Sequence, residues 1–190
     1  MSRRRVAVLD HGMGNLRSVA KALDAAGAEV LVTSESRDLL SGDALCVPGQ
    51  GIFGRCMSSL TSSGTDELLR EWIEEGRPYL GICLGMQVLF ETSEEGSEKG
   101  LGILEGDVLR LPDSVRVPHI GWNSVNGVYY YFDHSFAVEP DYLSIVSGWC
   151  DHGRRFAASI QTGPITAVQF HPEKSAADGI SFLSQWLGVT

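Results

Sequence analysis

Basic residues are scarce in this 190-residue chain: 15 Lys and Arg stand against 24 Asp and Glu, for a formal charge of −9. An acidic surface repels polyanions, and the one basic cluster, Arg3-Arg4-Arg5, is too short to hold nucleic acid or an anionic membrane. No apolar run approaches the roughly 20 residues of a membrane-spanning helix. Only Val6-Ala7-Val8-Leu9 separates those arginines from Asp10, short of the ~7–15 apolar residues of a secretory leader. The cysteines, at 46, 56, 83 and 150, form no Cys-x-x-Cys pair, which argues against a structural zinc, and Cys46 and Cys150 lie among apolar or aromatic neighbours. A reduced, cytoplasmic protein with no metal site is expected. Repeats, linkers and low-complexity tracts are missing too. A hydrophobic content of 43% suffices for one core, so residues 1–190 are expected to fold as a single domain.

What is present is an alternation of apolar runs and helical patterns. Arg5 to Asp10 reads as a buried strand, His11 to Gly14 as a glycine-rich turn, and Asn15 as a helix cap. Leu16, Val19, Ala20 and Leu23 then recur at helical spacing until Gly27. Further strands are expected at about Glu29 to Val32, Ala44 to Val47 and Tyr79 to Ile82, with helices near Arg55 to Leu60 and Asp66 to Glu75. Such alternation predicts a three-layer α/β fold, flavodoxin-like, whose mostly parallel sheet has helices on both faces. The glycine-rich turns at 11–14, 49–51 and 81–85 then fall at the carboxyl ends of strands, where open α/β sheets bind ligands.

Beyond a loop from Glu94 to Gly102 the chain turns to β-formers, an added antiparallel portion. Strands are expected over Val108 to Leu111, Arg116 to Val125, Tyr129 to Val138, Tyr142 to Val146, Arg155 to Gln161 and Ile165 to Phe170. A hairpin turn at 161–164 joins the last two, and a helix from about Ile180 to Leu187 closes the fold. Tyr129-Tyr130-Tyr131-Phe132 reads as alternating sheet packing.

The chemistry concentrates in two motifs. In Gly81-Ile82-Cys83-Leu84-Gly85-Met86-Gln87 a cysteine sits at a strand-to-helix turn, flanked by glycines that permit close approach, the steric logic of a nucleophile elbow. In Gln169-Phe170-His171-Pro172-Glu173 an imidazole and a carboxylate lie two residues apart on one side of an extended segment. Cys83 alone reads as a buried hydrophobe and His171 alone as a structural hydrogen-bonder. Together with Glu173, which can hold the imidazole tautomer, they read as a catalytic set. One oxyanion donor would be the backbone N–H of Leu84, and the turn Gly49-Gln50-Gly51, whose glycines could equally be plain turn residues, is where a second would come from. Gly12-Met13-Gly14-Asn15-Leu16-Arg17 lacks the third glycine of a dinucleotide loop and the lysine of a P-loop, so it is not read as a nucleotide site. Glu94 and Glu95 read locally as a solvated pair.

Residues 81–87 together with Gln-Phe-His-Pro-Glu-Lys-Ser at 169–175 resemble the class I, or triad, glutamine amidotransferases. Two more segments, Asp10-His11-Gly12-Met13-Gly14-Asn15-Leu16-Arg17-Ser18 and Pro118-His119-Ile120-Gly121-Trp122-Asn123, resemble the glutaminase subunits of imidazole glycerol phosphate synthases. The resemblance implies hydrolysis of L-glutamine by Cys83 as nucleophile, His171 as general base and acid, and Glu173 as its orienting carboxylate. It implies substrate contacts from Gly51, Gln87, Glu95, His134 and Ser135, with Glu95 facing the α-ammonium and His134 with Ser135 facing the α-carboxylate. It also implies no cofactor. The partner implied is a (βα)8-barrel cyclase subunit that takes ammonia past Asn15, Trp122 and Asn123 and makes imidazole glycerol phosphate and AICAR for histidine biosynthesis. His11, Asp133-His134-Ser135-Phe136 and the short stretch 123–129 depart from that subunit pattern. They leave open a paralogous subunit serving a surface-sugar synthase. A freestanding amide hydrolase and a thiol-sensor scaffold built on Cys83 are the other readings.

Overall fold

A computed structural model describes residues 3–188. The first half runs β1 (Arg5–Leu9), α1 (Leu16–Ala25), β2 (Glu29–Thr33), α2 (Ser36–Leu40), β3 (Ala44–Gly49), α3 (Phe53–Ser62), α4 (Thr65–Glu74) and β4 (Tyr79–Cys83) into the one-turn helix α5 (Leu84–Gln87). The second half holds β5 (Thr92–Ser93), β6 (Gly106–Arg110), β7 (His119–Val125), β8 (Val128–His134), β9 (Phe136–Pro140), β10 (Val146–His152), β11 (Arg154–Thr162), β12 (Ile165–Val168) and α6 (Ala176–Leu187).

Seven strands form the central sheet in the order β10-β11-β12-β4-β3-β1-β2. From β12 to β2 the neighbours are parallel, while β11 and β10 add an antiparallel edge. Strands β5, β6 and β9 make a second sheet, and β7 with β8 a separate hairpin. Alternate residues of each central strand feed opposite faces, as the period of two requires. Ala7, Leu9, Leu45 and Val47 pack with Phe53, Leu60, Leu69 and Trp72 of α3 and α4. Val6, Val8, Ala44 and Cys46 pack with Val19 and Leu23 of α1 and Leu183 and Leu187 of α6. The expected three-layer α/β architecture is therefore present. Asn15 caps α1 as read from sequence, its side chain accepting the Ser18 N–H. Among the described residues no helix is long and apolar enough to cross a membrane.

Several expected boundaries shift, each for a local reason. The strand expected from Arg116 begins only at His119, after Pro118, which has no N–H for a ladder. The run Tyr129 to Val138 is two strands, because the chain leaves the hairpin at Ser135 and joins the second sheet as β9. Instead of a strand at Tyr142 to Val146 there is a 3-10 turn at Leu143–Ile145. Strand β10 carries no clear sequence signal, because register shifts between Val146 and Trp149 break its alternation. Helix α2, five residues long, is too short to show periodicity, and α6 starts four residues before Ile180. The tyrosine run does alternate: Tyr130 stacks on Phe170 at 3.9 Å and Phe132 is buried, while Tyr129 is exposed.

Candidate active site

Three adjacent strands deliver the site. Register pairs Gly49 of β3 with Cys83 of β4, and Ile82 of β4 with Val168 of β12. The Pro48 to Gly51 turn, Cys83 and the Gln169 to His171 segment therefore leave the sheet side by side at its carboxyl edge.

Cys83 itself makes the sharp reversal, at φ 54° and ψ −104°, a backbone conformation that costs a non-glycine residue about 1–3 kcal/mol. Its flanking glycines serve contact rather than torsion. A side chain on Gly85 would run into the Val47 carbonyl, and one on Gly81 into the Gly85 carbonyl. The Tyr79 hydroxyl ties the turn down by donating to Gly85 O at 2.6 Å. Leu84 opens α5, so its N–H has no partner within the helix.

His171 is 1% exposed and bonds through Nδ1 to Glu173 Oε1 at 2.8 Å; the carboxylate is itself buried. Nε2 makes no hydrogen bond and is the ring nitrogen left to serve Cys83. Burial works against charging this imidazole, but the Cys83 sulfur and the Glu173 carboxylate outweigh it and push the pKa up to about 10. The segment is clasped to β8: His171 N–H donates to Tyr131 O at 2.8 Å, while Ser175 Oγ donates to His171 O and accepts from Tyr131 N–H. The other thiols are shut away from solvent. Cys46, Cys56 and Cys150 are buried, and burial raises all three, Cys56 and Cys150 to about 12.

Beside Cys83 lies a cavity of about 390 Å³ lined by Gln50, Gly51, Cys83, Leu84, Gln87, Glu95, Pro118, Asp133, His134, Ser135 and Phe136. Each residue expected to touch glutamine borders it. Glu95 is no solvated charge: its Oε2 accepts the Phe53 N–H at 2.7 Å, at the start of α3. Gln87 gives its amide N–H groups to Phe136 O and Gln169 Oε1. His134 departs from expectation, because both ring nitrogens bond inside the protein, to Phe136 O and to His119. Its side chain is therefore a support of the cavity wall rather than a donor to a carboxylate. Asn15 and Trp122 stand exposed, with Asn123 half-buried.

Two contributors, Gln169 and His11, have no site role that the sequence assigns. Gln169, fully buried, donates through Nε2 to Cys83 Sγ at 3.4 Å; its place two residues before His171 is the available signal. His11 donates Nε2–H to Pro48 O at 2.6 Å, and Met13 and Gly14 pack on Gln50 and Gly51. The first glycine loop thus braces the turn beside the nucleophile.

Residues 7–186 match the family model described as glutamine amidotransferase class-I. The chain belongs to that family. This amidotransferase is 44% identical, over 197 residues, to the imidazole glycerol phosphate synthase subunit HisH of Aquifex aeolicus (strain VF5), covering 96% of this chain and 95% of that protein. To the HisH subunit of Moorella thermoacetica it is 43% identical, with 96% and 94% covered. Among solved structures, one described as a glutamine amidotransferase superposes with a TM-score of 0.78 at 24% identity, over 97% of this chain and 99% of that one. The structure of PurLQS from Thermotoga maritima gives 0.73 at 17% identity, over 98% and 96%. Both share the fold.

Proposed function

We propose that this amidotransferase is the glutaminase subunit of an imidazole glycerol phosphate synthase, acting in histidine biosynthesis. The observation that carries the chemistry is the buried His171–Glu173 pair beside Cys83 at the cavity wall. Full-length likeness to HisH subunits supports the pathway. The Cys83 thiolate attacks the glutamine side-chain amide, and the tetrahedral oxyanion is held by Leu84 N–H and an amide of the Gln50-Gly51 turn. His171 protonates the leaving ammonia, then activates the water that hydrolyses the glutamyl thioester to glutamate. Glu173 keeps the ring oriented throughout. Glu95 meets the substrate α-ammonium, Ser135 meets the α-carboxylate, and Gly51 and Gln87 line the side-chain slot.

Ammonia crosses to a (βα)8-barrel cyclase subunit docked over Asn15, Trp122 and Asn123. In support, Ile120 is 59% and Trp122 53% exposed, an apolar face on the hairpin that is bonded to the His171 segment. Four unpaired cysteines suit the reducing cytoplasm.

The test is glutamate release from glutamine by the purified chain, alone and with a histidine-pathway cyclase carrying its ribonucleotide ligand. Strong stimulation by the loaded cyclase is expected. Equal activity without it would mean a freestanding hydrolase, and silence in both would point to another synthase partner or to a non-catalytic scaffold.

A further inference from the structure

The wall of the cavity is backed by histidines that the reaction does not use. His119 Nδ1 lies 3.0 Å from His134 Nε2, and His119 Nε2 lies 3.2 Å from Asn123 Nδ2. His134 Nδ1 lies 2.8 Å from Phe136 O. Among the described residues no His, Cys, Asp or Glu group has the makings of a metal site, so the cluster needs another account.

Hydrogen-bond polarity supplies it. A carbonyl oxygen only accepts, so His134 Nδ1 must carry the proton, and in a neutral ring Nε2 must then accept. His119 Nδ1 is consequently the donor to it, and His119 Nε2 the acceptor of the Asn123 amide N–H. The Asn123 amide has one orientation, because its Oδ1 accepts the Ser124 N–H at 2.8 Å while its Nδ2 also donates to Asp151 O at 3.0 Å. Every donor in the chain meets one acceptor, all in the same sense. Stacking holds the middle ring in place: His119 lies between Phe132, at 4.7 Å, and His152, at 3.9 Å. His152 in turn donates to Arg116 O. Burial lowers His119 to about 4 and His134 to about 3, with the neighbouring His152 and His171 opposing further charge, so both rings are neutral at pH 7.

We propose that His119 is a positioning residue, the centre of a one-way relay from Asn123 through His119 and His134 to the Phe136 carbonyl, which holds the Ser135 edge of the cavity for the substrate carboxylate. This rests on reading that cavity as the glutamine site. It also joins Asn123, on the proposed docking face, to the far wall of the pocket through three hydrogen bonds.

Two measurements test it. Nitrogen-15 spectra of the full chain at pH 7 should show both His119 and His134 as neutral rings protonated at Nδ1; an Nε2-protonated ring at either position overturns the relay, whatever the ligand. L-glutamine binding is then followed by calorimetry in a Cys83→Ala background, which blocks turnover. His119→Leu should weaken binding about tenfold. His119→Asn, whose amide N–H can replace Nδ1–H, should recover to within about threefold, whereas His119→Gln, which matches the other ring nitrogen, should not. In the catalytically intact chain the loss should appear in KM with kcat changed far less. Equal weakening by Leu and Asn overturns the positioning role. Absence of glutamine binding to the Cys83→Ala parent, with both tautomers as stated, overturns the proposed substrate and leaves the relay standing.

Discussion

Replacing Glu173 with glutamine isolates what the carboxylate contributes. Its bond to His171 Nδ1, 2.8 Å long and nearly dry, is charge-assisted, a class that contributes about 1.5–3 kcal/mol. At about 1.4 kcal/mol per factor of ten, losing it lowers kcat/KM by roughly 10- to 150-fold. A serine triad loses more on the same change, about 10⁴-fold, because the amide there selects the wrong tautomer. Here the Cys83 sulfur also raises His171, and that cause survives the substitution, so a ring protonated on both nitrogens still offers Nδ1–H to the amide oxygen introduced by Glu173→Gln. His171→Ala removes the base outright and should cost about 10³-fold or more. The assay is glutamate release with saturating loaded cyclase, as a pH profile, with circular dichroism to check folding. Removing the carboxylate charge should also move the alkaline limb of kcat/KM to lower pH. Equal losses in the two variants, or an unmoved alkaline limb, would refute this account of the pair.

Stability should peak near pH 6.5 in thermal melts. His171, raised in the folded state, contributes below about 6.5 and loses that contribution as pH climbs through about 10, whereas buried neutral His119 and His134 make the fold weaken as pH falls from 6.5 toward about 4 and 3. A flat profile from pH 4 to 9 would contradict these shifts. Gly85→Ala forces a methyl against the Val47 carbonyl and should cost about 1–3 kcal/mol, or ~3–10 °C in Tm, by scanning calorimetry. Cys83→Gly should abolish glutaminase activity yet gain about 1 kcal/mol in denaturant unfolding by relieving the left-handed backbone, a gain that Cys83→Ala should lack.

The parallel half of the fold is legible because its inner strands are unbroken apolar runs, buried on both faces, its helices carry a period near 3.6, and turn glycines fall where the strands end. The antiparallel half is less so. Pro118, the exit at Ser135 and the irregular β10 each interrupt a pattern that local reading extends straight through. In the site, Cys83, His171 and Glu173 announce themselves by spacing. Gln169 and His119 do not, since their roles depend on which atoms meet across 86 and 15 residues of chain. The ring of His134 misleads for the same reason: a sequence shows a donor but not where its bonds are already committed.

Of the four thiols, Cys83 borders a cavity that a small molecule can enter; the others are sealed in the core. A compact electrophile such as iodoacetamide should therefore modify the native protein once and the denatured protein at all four cysteines, and excess glutamine should slow that single event. The molecule thus carries its own tally of cavity-facing Cys83, a mass-spectrometric measure of how much of any preparation is folded.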